Sequence, residues 1–410
     1  MTDTSAGRIV TEAAIAARAA SGSIGATSEE VVTAVIRTMA ELLDQAKDTV
    51  LEANRADVAA ATADGLSPAM IDRLELDEER LAAMADQLVE LAEVPPQPVE
   101  RFIRDLPGGL GVWERHRPVG VIGANFEARP NVTIDVASQL VRSRNAGVLR
   151  TGSAALGTSI ALIDTVVSPA LAAHDIDPAA IQLVRTPDRA AAHALVAQTG
   201  LIPLVILRGS GESTRTLVAE AAQHGVRTLA HADGGGVLVA APDAETDLLI
   251  DLIHASLDRF GVCNRLNLLL LPNDTMLDLV RPVFDSLGVK LSLPPHDHPL
   301  GHEWSLDDGR EKTVTVSFVD NLAEAAQIAS ELTPGIAATI VTANPATAEA
   351  FIDAYTGTGV FWNSTTRLLD GYKLLGVPET GINVEHVPGP RGPVTFRDLV
   401  LRQFVVRPKD

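Results

Sequence analysis

Residues 119–150 read VGVIGANFEARPNVTIDVASQLVRSRNAGVLR, and they are the clearest indicator of the architecture of this protein. Residues 119–123 form a short apolar run, residues 132–141 carry apolar side chains at helical spacing, and residues 147–150 are strand-like again. A strand, a helix and a second strand in this order predict a parallel βαβ unit.

The same alternation continues towards the carboxyl terminus. The pattern predicts four further elements: a helix at residues 158–173, a strand at 180–184, a helix at 189–198 and a strand at 204–207. A second series of α/β units begins near residue 235, includes an apolar run at residues 266–271 and ends near residue 343. We therefore predict an α/β protein with parallel sheets.

The region before these units is predicted to be helical. Residues 8–93 are rich in Ala, Leu, Glu and Arg, with apolar residues three and four apart. Within it, Ser67 is placed to cap a helix that Pro68 begins. After these helices the turn Pro107-Gly108-Gly109 precedes residues 110–115, whose alternation is typical of an exposed strand.

The composition restricts the class of protein. With 410 residues, 46% hydrophobic and 21% charged, the chain can bury a large core in two or three domains. It carries 33 Lys+Arg against 53 Asp+Glu, a net charge of −20, so we do not expect nucleic acid as a partner. We find no signal peptide and no uncharged apolar run of the roughly 20 residues that cross a bilayer. We expect a soluble cytoplasmic protein with no membrane partner.

Cys263 is the only cysteine, and it lies in the run RFGVCN at residues 259–264, ahead of a strand-like stretch. A single thiol cannot form an intrachain disulfide or a cysteine-rich metal site, so a functional role for it is nucleophilic. Gly261 permits a sharp turn, and Arg259 favours the thiolate if its side chain points that way. Because free cysteines are also common in cores, inert packing is the alternative.

The segment FEARPNVT, residues 126–133, follows one strand and opens the next helix. Backbone N–H groups at such a position hold anions, and ligands of open α/β sheets collect at the carboxyl ends of the strands. Glu127, Arg129 and Asn131 are therefore candidate site residues. A simple helix start at Pro130 is the alternative.

The run Gly209-Ser210-Gly211-Glu212-Ser213 also lies between a strand and a helix. It lacks the full G-x-G-x-x-G spacing of dinucleotide-binding turns, so it indicates either a cofactor loop or a turn that needs glycine for its geometry.

His296, His298 and His302 are residue types that bind metals. The prolines and glycine among them are typical of an irregular surface loop, and we predict no metal site.

With these residues in view, the chain resembles gamma-glutamyl phosphate reductase (glutamate-5-semialdehyde dehydrogenase), a branch of the aldehyde dehydrogenase superfamily. FEARPNVTIDVAS, residues 126–138, nearly reproduces the signature of that family. Three shorter matches fall in the same order: DVAAATADGLSPAMIDR at residues 57–73, Cys263-Asn264, and NSTTR at residues 363–367 with Asp370-Gly371. The resemblance covers most of the chain.

The resemblance implies an aldehyde dehydrogenase-like fold of two Rossmann-type α/β domains with a β-strand oligomerisation extension. A cofactor-binding domain would cover residues 1–232, with residues 105–118 in an oligomerisation ribbon. A catalytic domain at residues 233–361 would carry Cys263, and residues 362–410 would return to the first domain. We expect a homo-oligomer in which residues 400–406 pair with the ribbon across a two-fold interface, since an unpaired edge strand invites association.

The resemblance also implies an activity, the reduction of gamma-glutamyl phosphate or a related acyl phosphate to its semialdehyde. NADPH or NADH would reduce a thioester on Cys263, and an amino-acid kinase would supply the substrate, as in proline biosynthesis. The Cys263 N–H and Asn131 would stabilise the oxyanion. The alternatives are an acyl-thioester reductase or aldehyde dehydrogenase of a specialised pathway, and a non-catalytic homologue.

The resemblance implies two groups of site residues. The arginines among them are expected to bind phosphate or carboxylate, because a guanidinium group matches the geometry of both. Those expected to bind substrate are Glu127, Arg129, Arg259, Asn264, Asn363, Ser364, Thr365 and Arg367. Those expected to bind cofactor are Arg150, Gly152, Ser153, Gly209, Ser210 and Glu379.

The sequence departs from the family at several polar positions. Ser153 and Ser256 stand where the family has lysines, and Asn267 stands where it has an acidic residue. Because a lysine supplies a compact charge suited to phosphate, its absence at residue 153 predicts a cofactor preference that is relaxed or shifted towards NAD.

Overall fold

A computed structural model describes residues 5–209, 211–231, 233–307, 309–386 and 389–409 of the chain. The described helices are α1 Ser5–Gly25, α2 Glu29–Gln45, α3 Lys47–Ala63, α4 Pro68–Leu74, α5 Glu78–Glu93, α6 Pro130–Arg142, α7 Leu156–Leu162, α8 Ser168–Ala172, α9 Ala190–Val196, α10 Gly211–Gln223, α11 Thr246–Ser256, α12 Asp274–Leu287, α13 Leu322–Glu331, α14 Pro345–Ala354 and α15 Gly371–Leu375. The described strands are β1 Glu100–Leu106, β2 Leu110–Pro118, β3 Val121–Asn125, β4 Ala146–Arg150, β5 Ile181–Leu183, β6 Leu204–Arg208, β7 Arg227–His231, β8 Gly236–Ala240, β9 Leu266–Leu271, β10 Lys290–Ser292, β11 Thr313–Phe318, β12 Ala337–Val341, β13 Gly359–Trp362, β14 Gly381–Asn383, β15 Gly392–Val394 and β16 Val400–Pro408.

The described chain divides into two compact units. Unit 1 runs up to residue 230 and takes in residues 376–381 and the segment from residue 394 onward, and unit 2 contains residues 231–375 and 382–393. The chain leaves unit 1 near the predicted boundary, but it returns at residue 376 rather than at 362. The reason is that residues 365–369 hydrogen-bond to Asn264 and so stay with unit 2.

The helical layer predicted at the amino terminus is α1 to α5. Ser28 caps α2 by accepting a hydrogen bond from Val31 N, and Asp77 caps α5 in the same way through Arg80 N. Ser67 precedes α4 with an extended backbone, but it makes no capping hydrogen bond to any described residue. Pro68 starts α4 as predicted, since proline lacks the N–H that a first turn leaves unused.

The five-stranded sheet of unit 1 has the order β5-β4-β3-β6-β7. β3, α6 and β4 form the predicted βαβ unit, with Val121 paired in parallel with Ala146. The strand order reverses between β3 and β6, which also pair in parallel. Such a reversal opens a crevice beyond the carboxyl ends of the strands, where α/β sheets bind their ligands.

The sheet of unit 2 has six strands in the order β10-β11-β9-β8-β12-β13, paired in parallel throughout. Apolar residues of α11 and α12 pack on one face, and those of α13 and α14 pack on the other. β9, the run LNLLLL, is buried along its whole length because both of its faces are covered. The second α/β series of the sequence is therefore a second doubly wound sheet.

A three-stranded ribbon of unit 1 has the order β1-β2-β16. Gly108 and Gly109 make the turn between β1 and β2 with φ values of 80° and 76°, a conformation that favours glycine. β16 pairs antiparallel with β2 of its own chain, from Val400 opposite Pro118 onward. The predicted pairing across an interface is therefore wrong for this strand. Asn145 Nδ2 donates to Leu399 O at 2.8 Å and directs the chain onto its own ribbon.

One described helical segment is apolar enough to cross a membrane by length and composition alone. It covers Ser153–Ala172, with a mean hydropathy of 1.5, and half of that window is buried. The segment carries Asp164, and its Val166 and Val167 are fully buried in the core of unit 1. A core helix meets the same criterion, so this segment is weak evidence for a membrane span.

Candidate active site

Three candidate residues lie just beyond β3, at the crevice of the unit 1 sheet. The Glu127 carboxylate lies 3.8 Å from Arg73 Nη1 and 3.7 Å from Arg129 Nε. Asn131 lies in the first turn of α6, where its Nδ2 donates to Asp135 Oδ2 at 3.2 Å. The segment therefore presents ionic and amide groups at the carboxyl end of the strand, where anions bind.

The loop after β4 touches the loop after β3 through Gly152. A side chain at this position would place its Cβ 2.8 Å from Ala128 N, closer than real Cβ atoms approach. Ser153 is exposed and begins a short 3-10 turn. Gly152 is thus needed for close backbone approach, and Ser153 offers only a neutral hydroxyl at the crevice.

Asp57, the first residue of the segment 57–73 that resembles the family, contacts the start of α7. Its Oδ2 accepts hydrogen bonds from both Thr158 N and Thr158 Oγ1 at 2.7 Å. A side chain at Gly157 would place its Cβ 2.7 Å from Asp57 Oδ1. The carboxylate therefore fixes the start of α7 immediately after Ser153, a contact that sequence reasoning missed.

The remaining cofactor candidates of unit 1 lie at strand ends. Arg150 is buried with its Nη1 donating to Asn125 Oδ1 at 3.3 Å, and its pKa is lowered by burial and then by the neighbouring Arg189. Gly209 follows β6, and Ser210 lies outside the described residues. Glu379 is half-buried in the segment that returns to unit 1.

Cys263 is half-buried at the amino end of β9, beside the glycine turn that precedes β8. Gly235 N donates to Cys263 O at 2.6 Å, and Gly236 N donates to Arg265 O at 2.7 Å. A side chain at Gly234 would place its Cβ 2.5 Å from Cys263 Cβ and 2.6 Å from Cys263 O. Only glycine fits there, so a bare backbone forms one wall of the cysteine site.

A buried carboxylate holds this glycine turn. Glu303 accepts hydrogen bonds from Gly234 N and, at 2.6 Å, from Ser305 Oγ, and burial raises its pKa. Arg265 is also buried, with Nη2 donating to Thr313 O at 2.7 Å, and burial lowers its pKa to about 10. Glu303 is a second residue that sequence reasoning missed, because no local pattern marks it.

The residue after the cysteine is clamped to residues 365–369. Thr366 Oγ1 donates to Asn264 O at 2.8 Å, and Asn264 Nδ2 donates to Leu369 O at 3.0 Å. Arg367 Nη1 donates to Asn264 Oδ1, and Arg367 Nε donates to Asp258 Oδ1 at 2.6 Å. Two predicted substrate ligands, Asn264 and Arg367, thus meet beside Cys263, together with an aspartate that was not predicted.

Two positions at which the sequence departs from the family have structural partners. The Ser256 and Thr365 hydroxyl oxygens lie 2.8 Å apart, which joins the end of α11 to the clamp. Asn267 Nδ2 donates to His302 O at 2.7 Å, and its Oδ1 accepts from Trp304 N at 3.1 Å. A carboxylate could not make the first of these bonds, since it has no hydrogen to donate when ionised.

The other predicted substrate ligands are placed differently. Asn363 Oδ1 accepts from Thr342 N at 3.1 Å, and its Nδ2 donates to Thr342 O at 3.0 Å. These bonds hold Asn363 at the carboxyl end of β12. Cys263 lies at the amino end of β9, which is the opposite edge of the same parallel sheet. Ser364 is half-buried, and Arg259 is exposed in the loop before Cys263.

The histidine-rich loop packs around a tryptophan. The His298 and His302 rings lie edge-on to Trp304, with centroids 4.8 and 4.5 Å away. His302 Nε2 lies 2.8 Å from Asp307 Oδ2, and burial lowers the pKa of His296. In the described part of the chain no group of three or more His, Cys, Asp or Glu side chains is arranged to hold a metal ion.

Comparisons with known proteins identify the family. The chain is 33% identical to the gamma-glutamyl phosphate reductase of Clavibacter michiganensis over 413 residues, 96% of this chain and 92% of that protein. It is 33% identical to the enzyme of that name from Novosphingobium aromaticivorans, over 98% of this chain and 96% of that protein. No protein-family model matches the sequence.

Solved structures give the same result for the fold. The gamma-glutamyl phosphate reductase of Thermotoga maritima has a TM-score of 0.88 and 25% identity, covering 98% of both chains. An acetylating aldehyde dehydrogenase from Geobacillus thermoglucosidasius shares the fold alone, with a TM-score of 0.73 and 15% identity. Identity near one third over nearly the full length, together with the signature at residues 126–138, shows that this chain belongs to the gamma-glutamyl phosphate reductase family of oxidoreductases.

Proposed function

We propose that this protein reduces gamma-glutamyl phosphate to glutamate 5-semialdehyde with a nicotinamide cofactor. The observation that carries the proposal is the single thiol, Cys263, held between a glycine turn and the Asn264 clamp in a chain of this family. An amino-acid kinase is the proposed source of the substrate, because an acyl phosphate forms by phosphoryl transfer to a carboxylate. We propose a soluble cytoplasmic location.

Cys263 carries the covalent chemistry in this proposal. Its thiolate attacks the acyl carbon, the bond from that carbon to the phosphate oxygen breaks, and phosphate leaves with the bonding electrons, so that a thioester forms. Reduction of the thioester returns the thiolate as the leaving group. The Cys263 N–H and the Asn131 amide are the proposed donors to the oxyanion, and such a donor contributes about 3–4 kcal/mol in comparable sites.

The cofactor that the fold family implies fits the residues of unit 1. Gly152 brings two loop backbones together at the crevice of the sheet, and Arg150 has a buried Nε without a hydrogen-bond partner among the described residues. Residues 150–153 with Gly209, Ser210 and Glu379 are the proposed binding residues. When bound, NADPH or NADH supplies the hydride that reduction of a thioester requires.

The reverse reaction tests the proposal. Glutamate 5-semialdehyde, NADP+ or NAD+ and the purified protein should produce reduced cofactor only when inorganic phosphate is present. Activity that needs coenzyme A instead would favour the acyl-thioester reductase, a candidate motivated by the neutral Ser153 and Ser256 in place of lysines. Activity with water alone indicates an aldehyde dehydrogenase. Absence of nucleotide binding indicates a non-catalytic homologue.

We expect the preference for NADPH over NADH to be smaller than about tenfold, which corresponds to about 1.4 kcal/mol. Ser153 cannot supply a charge to a 2′-phosphate, Arg150 is buried, and Arg208 Nη1 donates to Thr380 O at 3.2 Å. Fluorescence titration with both reduced cofactors measures the ratio. A larger preference for NADPH would contradict this expectation, and loss of that preference in Arg189→Ala would then assign the phosphate to Arg189.

We propose a homo-oligomer that forms through the outer strand of the ribbon. Phe404 is 59% exposed and Val406 52% exposed, on the same face of β16, which is an edge strand. The double substitution Phe404→Ser with Val406→Ser should convert the oligomer to monomers, as measured by light scattering. Ile15→Ser is the matched control, since Ile15 is 54% exposed on α1. A monomeric native protein at micromolar concentration would overturn the proposal.

A further inference from the structure

The ion pair of Asp258 and Arg367 lies directly beside the cysteine site. Arg367 Nε donates to Asp258 Oδ1 at 2.6 Å, and Arg367 Nη1 donates to Asn264 Oδ1, on the residue that follows Cys263. The Arg367 side chain is 12% exposed and that of Asp258 is 49% exposed. The Arg367 guanidinium is therefore held in place by its hydrogen bonds to Asp258 and Asn264, while the Asp258 side chain is half-exposed to solvent.

The exposed carboxylate keeps one oxygen available. Within the described residues Asp258 Oδ1 accepts from Arg367, and Asp258 Oδ2 accepts from none. A fixed guanidinium next to a half-exposed carboxylate presents a positive and a negative group side by side. The chemical group that complements this arrangement is dipolar, with an ammonium and a carboxylate on the same carbon atom, as in an α-amino acid.

The position of the ion pair, next to Asn264 and in the loop that carries the thiol, suits such a substrate. In a gamma-glutamyl group the α-carbon lies three carbon–carbon bonds from the reacting carbonyl carbon, or about 4 Å. Arg367 contacts Asn264, the next residue after Cys263, and Asp258 lies five positions before the thiol in the same loop. A carbonyl at the sulfur therefore leaves the dipolar end of the substrate in the region of the ion pair.

We propose that Asp258 is a specificity-determining residue that binds the α-ammonium group of an amino-acid acyl substrate, with Arg367 holding the α-carboxylate. The inference rests on the proposed function and names the part of the site that selects the amino acid. The competing explanation is that Asp258 only orients Arg367. Asp258→Asn separates the two, because the amide oxygen still accepts from Arg367 Nε while the negative charge is lost.

The experiment compares two aldehydes that differ only in the α-amino group, glutamate 5-semialdehyde and 5-oxopentanoate, in the phosphate-dependent oxidation. We expect the native protein to favour the amino-bearing aldehyde by about 10-fold or more in kcat/KM. In Asp258→Asn the ratio should fall to within about 3-fold, through a higher KM for the amino-bearing aldehyde. An unchanged ratio, or an equal loss on both aldehydes, overturns the proposal.

A control and a binding measurement separate this inference from the proposed function. Asp278→Asn breaks a similar pair, in which Asp278 is 76% exposed and lies 4.0 Å from Arg281 on α12, and it should leave the ratio unchanged. Glutamate should protect Cys263 from iodoacetamide better than glutarate does, and Asp258→Asn should abolish the difference. If neither aldehyde reacts but this difference is found, the proposed reaction fails while the amino-acid site stands. If glutamate and glutarate protect equally, the proposed amino-acid site is wrong, whatever reaction the protein catalyses.

Thermal melting shows whether the Asp258→Asn protein is folded. Asp258→Glu, which keeps the charge, should restore the preference in part.

Discussion

Replacing Cys263 with alanine is expected to abolish reduction of the acyl phosphate, with a loss in kcat of about 10³-fold or more. The thiolate divides one difficult displacement into two easier steps, and the chain contains no second cysteine to replace it. Absorbance of the reduced cofactor measures the rate. Nucleotide affinity should be nearly unchanged, because the residues proposed to bind the cofactor belong to unit 1 and Cys263 belongs to unit 2.

Chemical labelling distinguishes a reactive thiol from one that is only packed. In the native protein Cys263 should react with iodoacetamide faster than a model peptide thiol does, since a catalytic thiolate requires a pKa below about 8.5. Mass spectrometry of the labelled protein gives the rate. A thiol that resists labelling until the protein is denatured, or a Cys263→Ala protein with native activity, would establish the packing alternative.

Substituting Gly234 with alanine is expected to damage both the stability and the activity. The new Cβ would lie 2.5 Å from Cys263 Cβ, so either the glycine turn or the cysteine loop must move. Overpacking of this kind costs about 1–3 kcal/mol of stability. A displacement of the nucleophile by about 1 Å is enough to lower kcat by about 10²-fold. Urea denaturation and steady-state kinetics measure the two effects.

Gly22→Ala is the matched control for that substitution. Gly22 lies in α1 with no atom within 4 Å of the position of its Cβ, and its φ is not in the left-handed region. Alanine there should leave kcat unchanged and stabilise the helix by up to about 1 kcal/mol. Native kinetics in Gly234→Ala would show that the glycine turn does not position Cys263.

The elements of the unit 1 sheet up to β6, together with β9, could be predicted from local patterns, because an apolar strand and an amphipathic helix have different periods. β3, α6 and β4 lie where residues 119–150 place them. β1 was missed. Its five central residues, RFIRD, are all exposed, so neither of its faces is consistently apolar, and pairing with β2 makes it a strand.

The partner of the last strand and the boundary at residue 376 could not be predicted in the same way. The alternating pattern of residues 400–406 indicates a strand, but the identity of its neighbour depends on where the preceding residues are held. Asn145 and Leu399 provide that anchor, and they are 254 positions apart in the chain. No local pattern contains this information.

The proposed nucleophile could be selected from the sequence because its chemistry is that of one residue, the only thiol of the chain, placed before an apolar strand-like run. The residues that position it became visible only in the folded chain. Gly234 meets Cys263 because β8 and β9 are neighbouring parallel strands, and Glu303, 69 positions after Gly234, reaches the same glycine turn from the segment between β10 and β11. Glycines and acidic residues are common in loops, so neither residue carries a local signal. The contact of Gly234 with Cys263 follows from strand order, which the hydrophobic periodicity of separate segments does not encode.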